Sequence, residues 1–309
     1  MKKIVITEFM DEAAIERLKR DFEVHYDPTL VDQADALRVA LEDAHAVIVR
    51  NRTQVSVALL ESAPHLKAVG RLGVGLDNID MSACAARGIG VYPATGANAQ
   101  AVAEYVVAAA LMLLRGAYSH SAEVAAGTWP RNALSNGREA AGSVLGVVGF
   151  GGIGQLVARL ARSLGMSVMG YDPLQAADAS CWAETGARCV SLEEALEQAD
   201  VVTLHVPLTD DTRNLLNAAR IASMKAAAIV INTARGGIVD ETALAQALRD
   251  KRLAGAALDV FTDEPLANGS PLADAPNLIL TPHIAGLSIQ SNERVSSLVA
   301  ARVAEALSR

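Results

Sequence analysis

The sequence predicts an α/β protein with two doubly wound parallel-sheet lobes. Short apolar runs alternate with helical stretches, which is the pattern of parallel strands joined by crossover helices. One such array begins at residue 3 and a second at residue 144, and 309 residues are enough for two domains. A hydrophobic content of 51% with only 4% aromatics is typical of aliphatic side chains packed between helices and a sheet.

Each lobe has its own set of predicted strands. The first lobe has Lys3–Thr7, Glu23–Tyr26, Ala46–Val49, Leu66–Val69 and Ile89–Tyr92. The second begins at Val144 and continues through Ser167–Tyr171, Val201–Val206, Ala228–Asn232, Ala256–Val260 and Leu278–Thr281. The chain after residue 286 has only helical signals, and a terminal helix must pack on a lobe that already exists. We therefore expect one domain from residues 1–97 with 287–309, and the other from residues 98–286.

Composition and charge exclude several classes of protein. The net charge of −8 and the absence of a basic run argue against nucleic acid as a partner. The three cysteines have no metal or disulfide spacing, so we expect reduced thiols and no metal site. The N-terminal apolar run is too short for a signal peptide, and no stretch is long enough to span a membrane. These features predict a cytoplasmic protein with no membrane partner.

A glycine-rich turn predicts a dinucleotide site at the start of the second lobe. An apolar strand runs into Gly149-x-Gly151-x-x-Gly154, a helical stretch follows, and the next strand ends at Asp172. This order is typical of a site that binds pyrophosphate at a helix N-terminus and ribose hydroxyls on an acid. Because a carboxylate repels a 2′-phosphate, we expect NAD as the cofactor, bound by Gly149, Gly151, Gly152, Ile153, Gly154 and Asp172.

Two residues that follow later strands have side chains suited to binding a carboxylate and to transferring a proton. Arg235 comes after the strand Ala228–Asn232 between small residues, and its planar guanidinium suits a bidentate contact with a carboxylate. His283 comes just after the last strand, and histidine is the side chain best suited to transfer a proton near neutral pH. A histidine in this position is, without further information, more often structural.

Several ordered motifs resemble the D-isomer-specific 2-hydroxyacid dehydrogenases, and within that family the phosphoglycerate dehydrogenases. They are Val69–Asp80, Gly149–Gly154, His205–Thr209, Asn232–Asp240, Ala257–Pro265 and Thr281–Gly286. The resemblance covers nearly the whole chain. It implies a Rossmann NAD domain plus a flavodoxin-like substrate domain, and NAD-dependent oxidation of a 2-hydroxy acid to the 2-oxo acid in a reversible hydride transfer.

The resemblance also implies roles for individual residues. Arg235, Glu264 and His283 would be catalytic, with the Glu264 carboxylate bonded to Nδ1 of the His283 ring. Asp259 would accept from the nicotinamide carboxamide, with Thr233 and Val74 at the same end of the cofactor. Gly75 and Asn98 would contact the substrate.

Three arginines indicate that the substrate carries a second negative charge, at the end opposite its carboxylate. Arg50, Arg52 and Arg71 follow first-lobe strands, and together they exceed what one carboxylate needs. We therefore expect Arg50 and Arg71 to bind a second anion, as in 3-phosphoglycerate or another hydroxyacid with an anion at C3. The alternatives are 3-sulfolactate oxidation, glyoxylate or hydroxypyruvate reduction, and a non-enzymatic NAD-sensing scaffold like the C-terminal-binding corepressors.

The helical stretch from Asn98 to Arg115 predicts how the protein assembles. It is rich in Ala and Val on successive turns, which suits close packing between helices of two subunits. We expect a homodimer.

Overall fold

The computed structural model describes residues 1–308. The chain divides into two compact units, Met1–Asn98 with Leu287–Arg309, and Ala99–Gly286, of which Arg309 lies outside the described residues. Each unit is built around one parallel sheet, which confirms the predicted fold class.

All pairings within the two sheets are parallel. The strands are β1 (Lys3–Ile6), β2 (Glu23–Tyr26), β3 (Ala46–Val49), β4 (Ala68–Arg71), β5 (Gly90–Pro93), β6 (Val144–Val148), β7 (Ser167–Tyr171), β8 (Arg188–Cys189), β9 (Val201–Leu204), β10 (Ala228–Asn232), β11 (Leu253–Leu258) and β12 (Leu278–Leu280).

Helices connect the strands on both faces of each sheet. They are α1 (Glu12–Leu18), α2 (Ala34–Leu41), α3 (Val57–Glu61), α4 (Met81–Ala86), α5 (Ala99–Arg115), α6 (Ser121–Ala125), α7 (Gly152–Ser163), α8 (Ser180–Thr185), α9 (Leu192–Gln198), α10 (Ala218–Ser223), α11 (Glu241–Arg249) and α12 (Ile289–Ser308). Short 3₁₀ turns cover Leu30–Asp32, Tyr118–His120 and Ala133–Asn136. Within residues 1–308, none of the helices has the length and apolar character needed to cross a bilayer.

The first unit has strand order β2-β1-β3-β4-β5, which is the flavodoxin-like order. Alternate residues of each strand face opposite sides of the sheet. Ile4 and Ile6 pack with α1 and α12 on one face, while Val5 packs with α2 and α3 on the other. The C-terminal helix α12 thus completes a core that begins at the N-terminus.

The second unit has strand order β12-β11-β10-β9-β6-β7-β8, which is the Rossmann order extended by one strand. The order reverses between β6 and β9. In open α/β sheets, ligands bind at the carboxyl ends of the two strands that flank such a reversal. The first unit has the corresponding point between β1 and β3.

Some elements differ from their predicted bounds. Strand β4 begins two residues later than predicted because its ladder pairs Val69 with Val47 and with Val91. Arg71 is consequently the last residue of β4 instead of following it. Strand β8 has only two residues at the sheet edge, too few to produce an alternating pattern in the sequence.

Candidate active site

The packing of the second unit itself requires two of the three motif glycines. Gly149 has a φ of +93°, and a Cβ added there would lie 2.6 Å from the carbonyl carbon and oxygen of His205. A Cβ added at Gly154 would lie 2.2 Å from the carbonyl oxygen of Gly149. These glycines let the end of β6 approach the end of β9 and let α7 pack on the turn.

The middle of the glycine motif has no such requirement. A Cβ added at Gly151 or at Gly152 would meet no atom of the described chain within 4 Å. The φ of −73° at Gly151 is one that any residue adopts. In addition, no side chain caps the N-terminus of α7. Exposed backbone N–H groups beside an open glycine fit a pyrophosphate that approaches the main chain.

Asp172 braces the glycine turn at the end of β7. Its Oδ2 accepts from the Phe150 N–H at 2.7 Å and its Oδ1 accepts from the Leu174 N–H at 2.9 Å. A carboxylate has about four acceptor positions, so two bonds to the backbone leave capacity for ribose hydroxyls. Sequence reasoning missed the bracing because Phe150 is 22 positions away.

The structure brings His283 and Glu264 into contact. His283 Nδ1 lies 2.8 Å from Glu264 Oε2, and the other oxygen of Glu264 accepts from the Phe261 N–H at 3.1 Å. The two side chains are 39% and 35% exposed. With Nδ1 occupied by the carboxylate, Nε2 is the ring nitrogen left for a substrate. The φ of His283 is +57°, a left-handed conformation that few residues adopt without support.

Asp259 supplies that support from inside the unit. The side chain is only 1% exposed, and its two oxygens accept from the Thr281 hydroxyl at 2.6 Å and from the N–H groups of Ile284 at 2.8 Å and Ala285 at 2.7 Å. The Asp259 carbonyl accepts from the His283 N–H at 2.8 Å. Asp259 therefore holds the turn that carries His283, and its contact with a nicotinamide carboxamide stays a prediction.

Arg235 leaves the end of β10 on a turn that Asn232 fixes. Asn232 is 1% exposed; its Oδ1 accepts from the Ala234 N–H at 3.0 Å and its amide donates to the Arg235 carbonyl at 2.9 Å. The Thr233 hydroxyl in the same turn is buried without a hydrogen-bond partner among the described residues. An orphaned hydroxyl at the carboxyl end of the sheet fits a cofactor that supplies the missing partner.

The remaining predicted site residues lie in the first unit. Val74 and Gly75 follow β4, where Val74 is 38% exposed. Asn98 precedes α5, and its Oδ1 is buried without a hydrogen-bond partner within residues 1–308. Arg71 is 9% exposed, donates from Nη1 to the Leu72 carbonyl at 3.0 Å and covers Gly73, where an added Cβ would lie 1.9 Å from that nitrogen.

Arg50 lies at the strand reversal of the first unit, directly after β3. Its guanidinium donates to Asn292 Oδ1 at 2.7 Å and to the Phe9 carbonyl at 3.4 Å, and it lies 5.8 Å from the centre of the Phe9 ring. Burial lowers the pKa of Arg50, an effect that the Glu8 charge opposes. This lowering of the pKa arises because the buried guanidinium has lost favourable contact with water.

Glu8 organises the loop that carries this arginine. The Glu8 side chain is 5% exposed and accepts from the backbone N–H groups of Arg50 at 2.8 Å, Thr53 at 3.0 Å and Arg52 at 3.1 Å. The Arg52 guanidinium forms an ion pair with Asp32 at the surface. The expected surplus of three cations is therefore smaller than the sequence suggests, because Arg52 has its own partner.

His205 is a titratable group that sequence reasoning did not assign. It follows β9 beside Gly149, and its Nε2 lies 3.0 Å from the Thr203 hydroxyl. Burial lowers the pKa of His205 to about 4. The ring is therefore neutral at pH 7, beside the turn expected to receive the cofactor phosphates.

Comparison with known proteins identifies the family. Residues 107–285 match the sequence model of the D-isomer specific 2-hydroxyacid dehydrogenase NAD-binding domain. The chain is 52% identical to (S)-sulfolactate dehydrogenase of Chromohalobacter salexigens over 99% of both chains. It is 42% identical to D-3-phosphoglycerate dehydrogenase of Haemophilus influenzae over 87% of this chain, but spans only 65% of that protein.

A solved structure gives the same result for the whole fold. D-lactate dehydrogenase of Aquifex aeolicus, complexed with NAD and lactic acid, superposes with a TM-score of 0.86 at 30% identity, covering 99% of this chain and 95% of that one. The expected cofactor, NAD, is confirmed by the family match and by this relative. The chain belongs to the D-isomer specific 2-hydroxyacid dehydrogenases, NAD-dependent enzymes that act on a CH–OH group.

Proposed function

We propose that this protein oxidises a three-carbon 2-hydroxy acid that carries a second anion at C3, with sulfolactate preferred over 3-phosphoglycerate. The observation that carries the proposal is Arg50, a partly desolvated guanidinium at the strand reversal of the first unit. Its side-chain hydrogen bonds within residues 1–308 go to neutral oxygens of Asn292 and Phe9. A sulfonate or phosphate would restore the interaction that the cation lost with water.

The charge near Arg50 favours the sulfonate over the phosphate. Arg52 is paired with Asp32, and the buried Glu8 carboxylate lies beside the backbone of the same loop. A phosphate monoester carries close to two negative charges at neutral pH, whereas a sulfonate carries one. With one of the three cations paired and a carboxylate nearby, the loop suits the single charge better. The named activity of the relative that is 52% identical supports the same order of preference.

The proposed reaction divides the work among residues of the second unit. Arg235 would bind the substrate carboxylate with its planar guanidinium and orient C2. His283 Nε2 would take the proton from the C2 hydroxyl. NAD, when bound at the glycine turn, would supply the acceptor for the C2 hydride. Glu264, 2.8 Å from Nδ1, would stabilise the imidazolium that results. In the reverse direction the same imidazolium would return the proton to the 2-oxo acid.

A turnover panel tests the substrate. NADH formation would be followed with both enantiomers of sulfolactate and with 3-phosphoglycerate, glycerate and lactate. We expect the highest kcat/KM with one enantiomer of sulfolactate, followed by 3-phosphoglycerate. If lactate or glycerate is the best substrate, the protein has no second anion site and the proposal is wrong.

Two matched arginine variants test the role of the anion. Arg50→Gln is expected to raise the KM for sulfolactate by about 10–100-fold, the loss of one charge-assisted contact, with little change for glycerate. Arg52→Gln removes a cation from the same loop that is already paired with Asp32, so both KM values are expected to stay within about threefold. Equal effects of Arg50→Gln on both substrates would contradict binding of the C3 anion.

A further inference from the structure

A chain of hydroxyl groups connects helix α5 to the turn that carries His283. The Tyr105 hydroxyl lies 2.6 Å from the Thr281 hydroxyl, and Thr281 donates to Asp259 Oδ1 at 2.6 Å. Because the Thr281 hydrogen is committed to the carboxylate, Thr281 accepts from Tyr105. The direction of all donors is thus fixed, from Tyr105 through Thr281 to Asp259.

The hydroxyl chain ends on a carboxylate that also accepts hydrogen bonds from the backbone. Asp259 accepts from the N–H groups of Ile284 and Ala285, the two residues that follow His283. Burial raises the pKa of Tyr105, so its phenol remains a donor throughout the neutral range. A buried carboxylate with several fixed donors keeps one orientation, and the turn attached to it does the same.

The turn needs this restraint because of the residue at its start. His283 has a φ of +57°, a left-handed conformation that few non-glycine residues adopt. Such a conformation persists only where the surroundings determine it. The imidazole must also keep its 2.8 Å contact with Glu264 while more than a third of the His283 side chain is exposed.

We propose that Tyr105 and Thr281 are positioning residues for proton transfer, because they lock Asp259 and thereby the left-handed turn that aims His283. This inference rests on the proposed role of His283 as the acid and base of the reaction. Neither hydroxyl contacts the His283 ring. Both act through the Asp259 carboxylate, with Tyr105 acting through Thr281.

Thr281→Val is the direct test because it keeps the shape of the side chain and removes the hydroxyl. The kcat is expected to fall by about 10–100-fold, the size of effect that a small misplacement of a reacting group causes. The Kd for NADH, measured by fluorescence, should stay within about threefold, and Thr281→Ser should recover most of the kcat.

Tyr105→Phe tests whether Tyr105 acts on Asp259 only through the Thr281 hydroxyl. This variant should lower kcat by only a few fold, because Thr281 can still donate to Asp259. The double variant with Thr281→Val should be no slower than Thr281→Val alone, since Tyr105 acts only through that hydroxyl. Thermal unfolding of each variant shows whether the assays are made on folded protein, and Tyr105→Phe provides a mild change should Thr281→Val fold poorly.

Three results would overturn the inference. They are an unchanged kcat in Thr281→Val, a loss of rate that Thr281→Ser does not restore, and additive effects of the two substitutions. His283→Ala separates this failure from failure of the proposed reaction. If His283→Ala abolishes turnover while Thr281→Val does not affect it, only the positioning role is wrong; if His283→Ala remains active, the assignment of the acid is wrong as well.

Discussion

Glu264 and His283 form the pair expected to carry the proton transfer. The Glu264 carboxylate lies 2.8 Å from His283 Nδ1, where it would orient the ring and stabilise the imidazolium that proton transfer produces. Glu264→Gln keeps an oxygen for the Nδ1–H and removes the charge. The kcat should then fall by about tenfold or more, because the imidazolium formed by proton transfer loses its charge-assisted partner, while the Kd for NADH stays within about threefold. Steady-state rates and NADH fluorescence would check this, and an unchanged kcat would contradict the pairing.

His205 predicts a pH dependence of stability instead of activity. Burial lowers its pKa to about 4 from an ordinary value of 6.5, so between these values the unfolded chain binds a proton that the folded protein does not. The free energy of unfolding therefore falls as the pH drops through this window. For a side chain that keeps some exposure to water, we expect His205 to account for about 1–2 kcal/mol of the loss between pH 7 and 4.5.

The measurement is urea unfolding of the parent protein and His205→Gln at both pH values. The variant has no titratable group at position 205, so its stability should decline less on acidification. An equal decline in the two proteins would show that folding does not lower the pKa of His205.

The β6–turn–α7 element separates glycines that the fold needs from glycines that the cofactor needs. Gly151→Ala adds a methyl group where the chain has no atom within 4 Å, so the free energy of unfolding should stay the same while NADH affinity falls by about tenfold or more. Gly154→Ala places a methyl group 2.2 Å from the Gly149 carbonyl oxygen and should destabilise the protein by about 2 kcal/mol or more. Normal NADH binding by Gly151→Ala would show that no phosphate approaches this residue.

Element types were predictable from the sequence where a strand has four or five residues in a buried run, as in β3 and β10. Their residues fill a core, and a buried strand of this kind is visible in the sequence as a short continuous apolar run. The register of a strand depends on its neighbours in the sheet and cannot be read from the strand's own residues. Arg71 was for this reason expected after β4, whereas the structure pairs it with Val49 of β3.

Partners distant in the sequence were the least predictable part of the candidate site. The motifs indicated His283 and Glu264, because their spacing and flanking residues resemble a known family. They did not indicate Tyr105, which reaches Thr281 from 176 positions away, or Asp32, which neutralises Arg52. Such contacts depend on how elements pack, and a single sequence contains no local signal for them.

At the scale of the molecule, each unit has its own strand reversal with some of its predicted ligand-binding residues beside it. The first unit has Arg50 after β3, and the second has the glycine turn after β6. The two sheets differ in order, 2-1-3-4-5 against an extended Rossmann order, so the units are not copies of one another. The physical rule for ligand sites in open parallel sheets therefore predicts one site in each unit.

We propose that the protein is a homodimer, although the structure changes the surface that would form it. Most of the Ala and Val residues of α5 expected at a subunit contact are buried in the core of the second unit. The apolar side chains left exposed are at the end of α5 and in the segment after it. They are Leu111, Met112, Tyr118, Val124 and Trp129, with Trp129 76% exposed. Exposed apolar groups of this size are typical of surfaces that another chain covers.

Light scattering at micromolar concentration should give twice the 32.2 kDa mass of one chain. Met112→Glu introduces a charge into the exposed apolar segment and should shift the protein towards the monomer, because an unpaired carboxylate is costly to bury. Val39→Glu is the matched control: Val39 is 64% exposed on α2 of the first unit, so the same substitution there should leave the mass unchanged. A parent protein that is monomeric at this concentration would refute the dimer, whereas a dimer that tolerates Met112→Glu would place the subunit contact on a different surface.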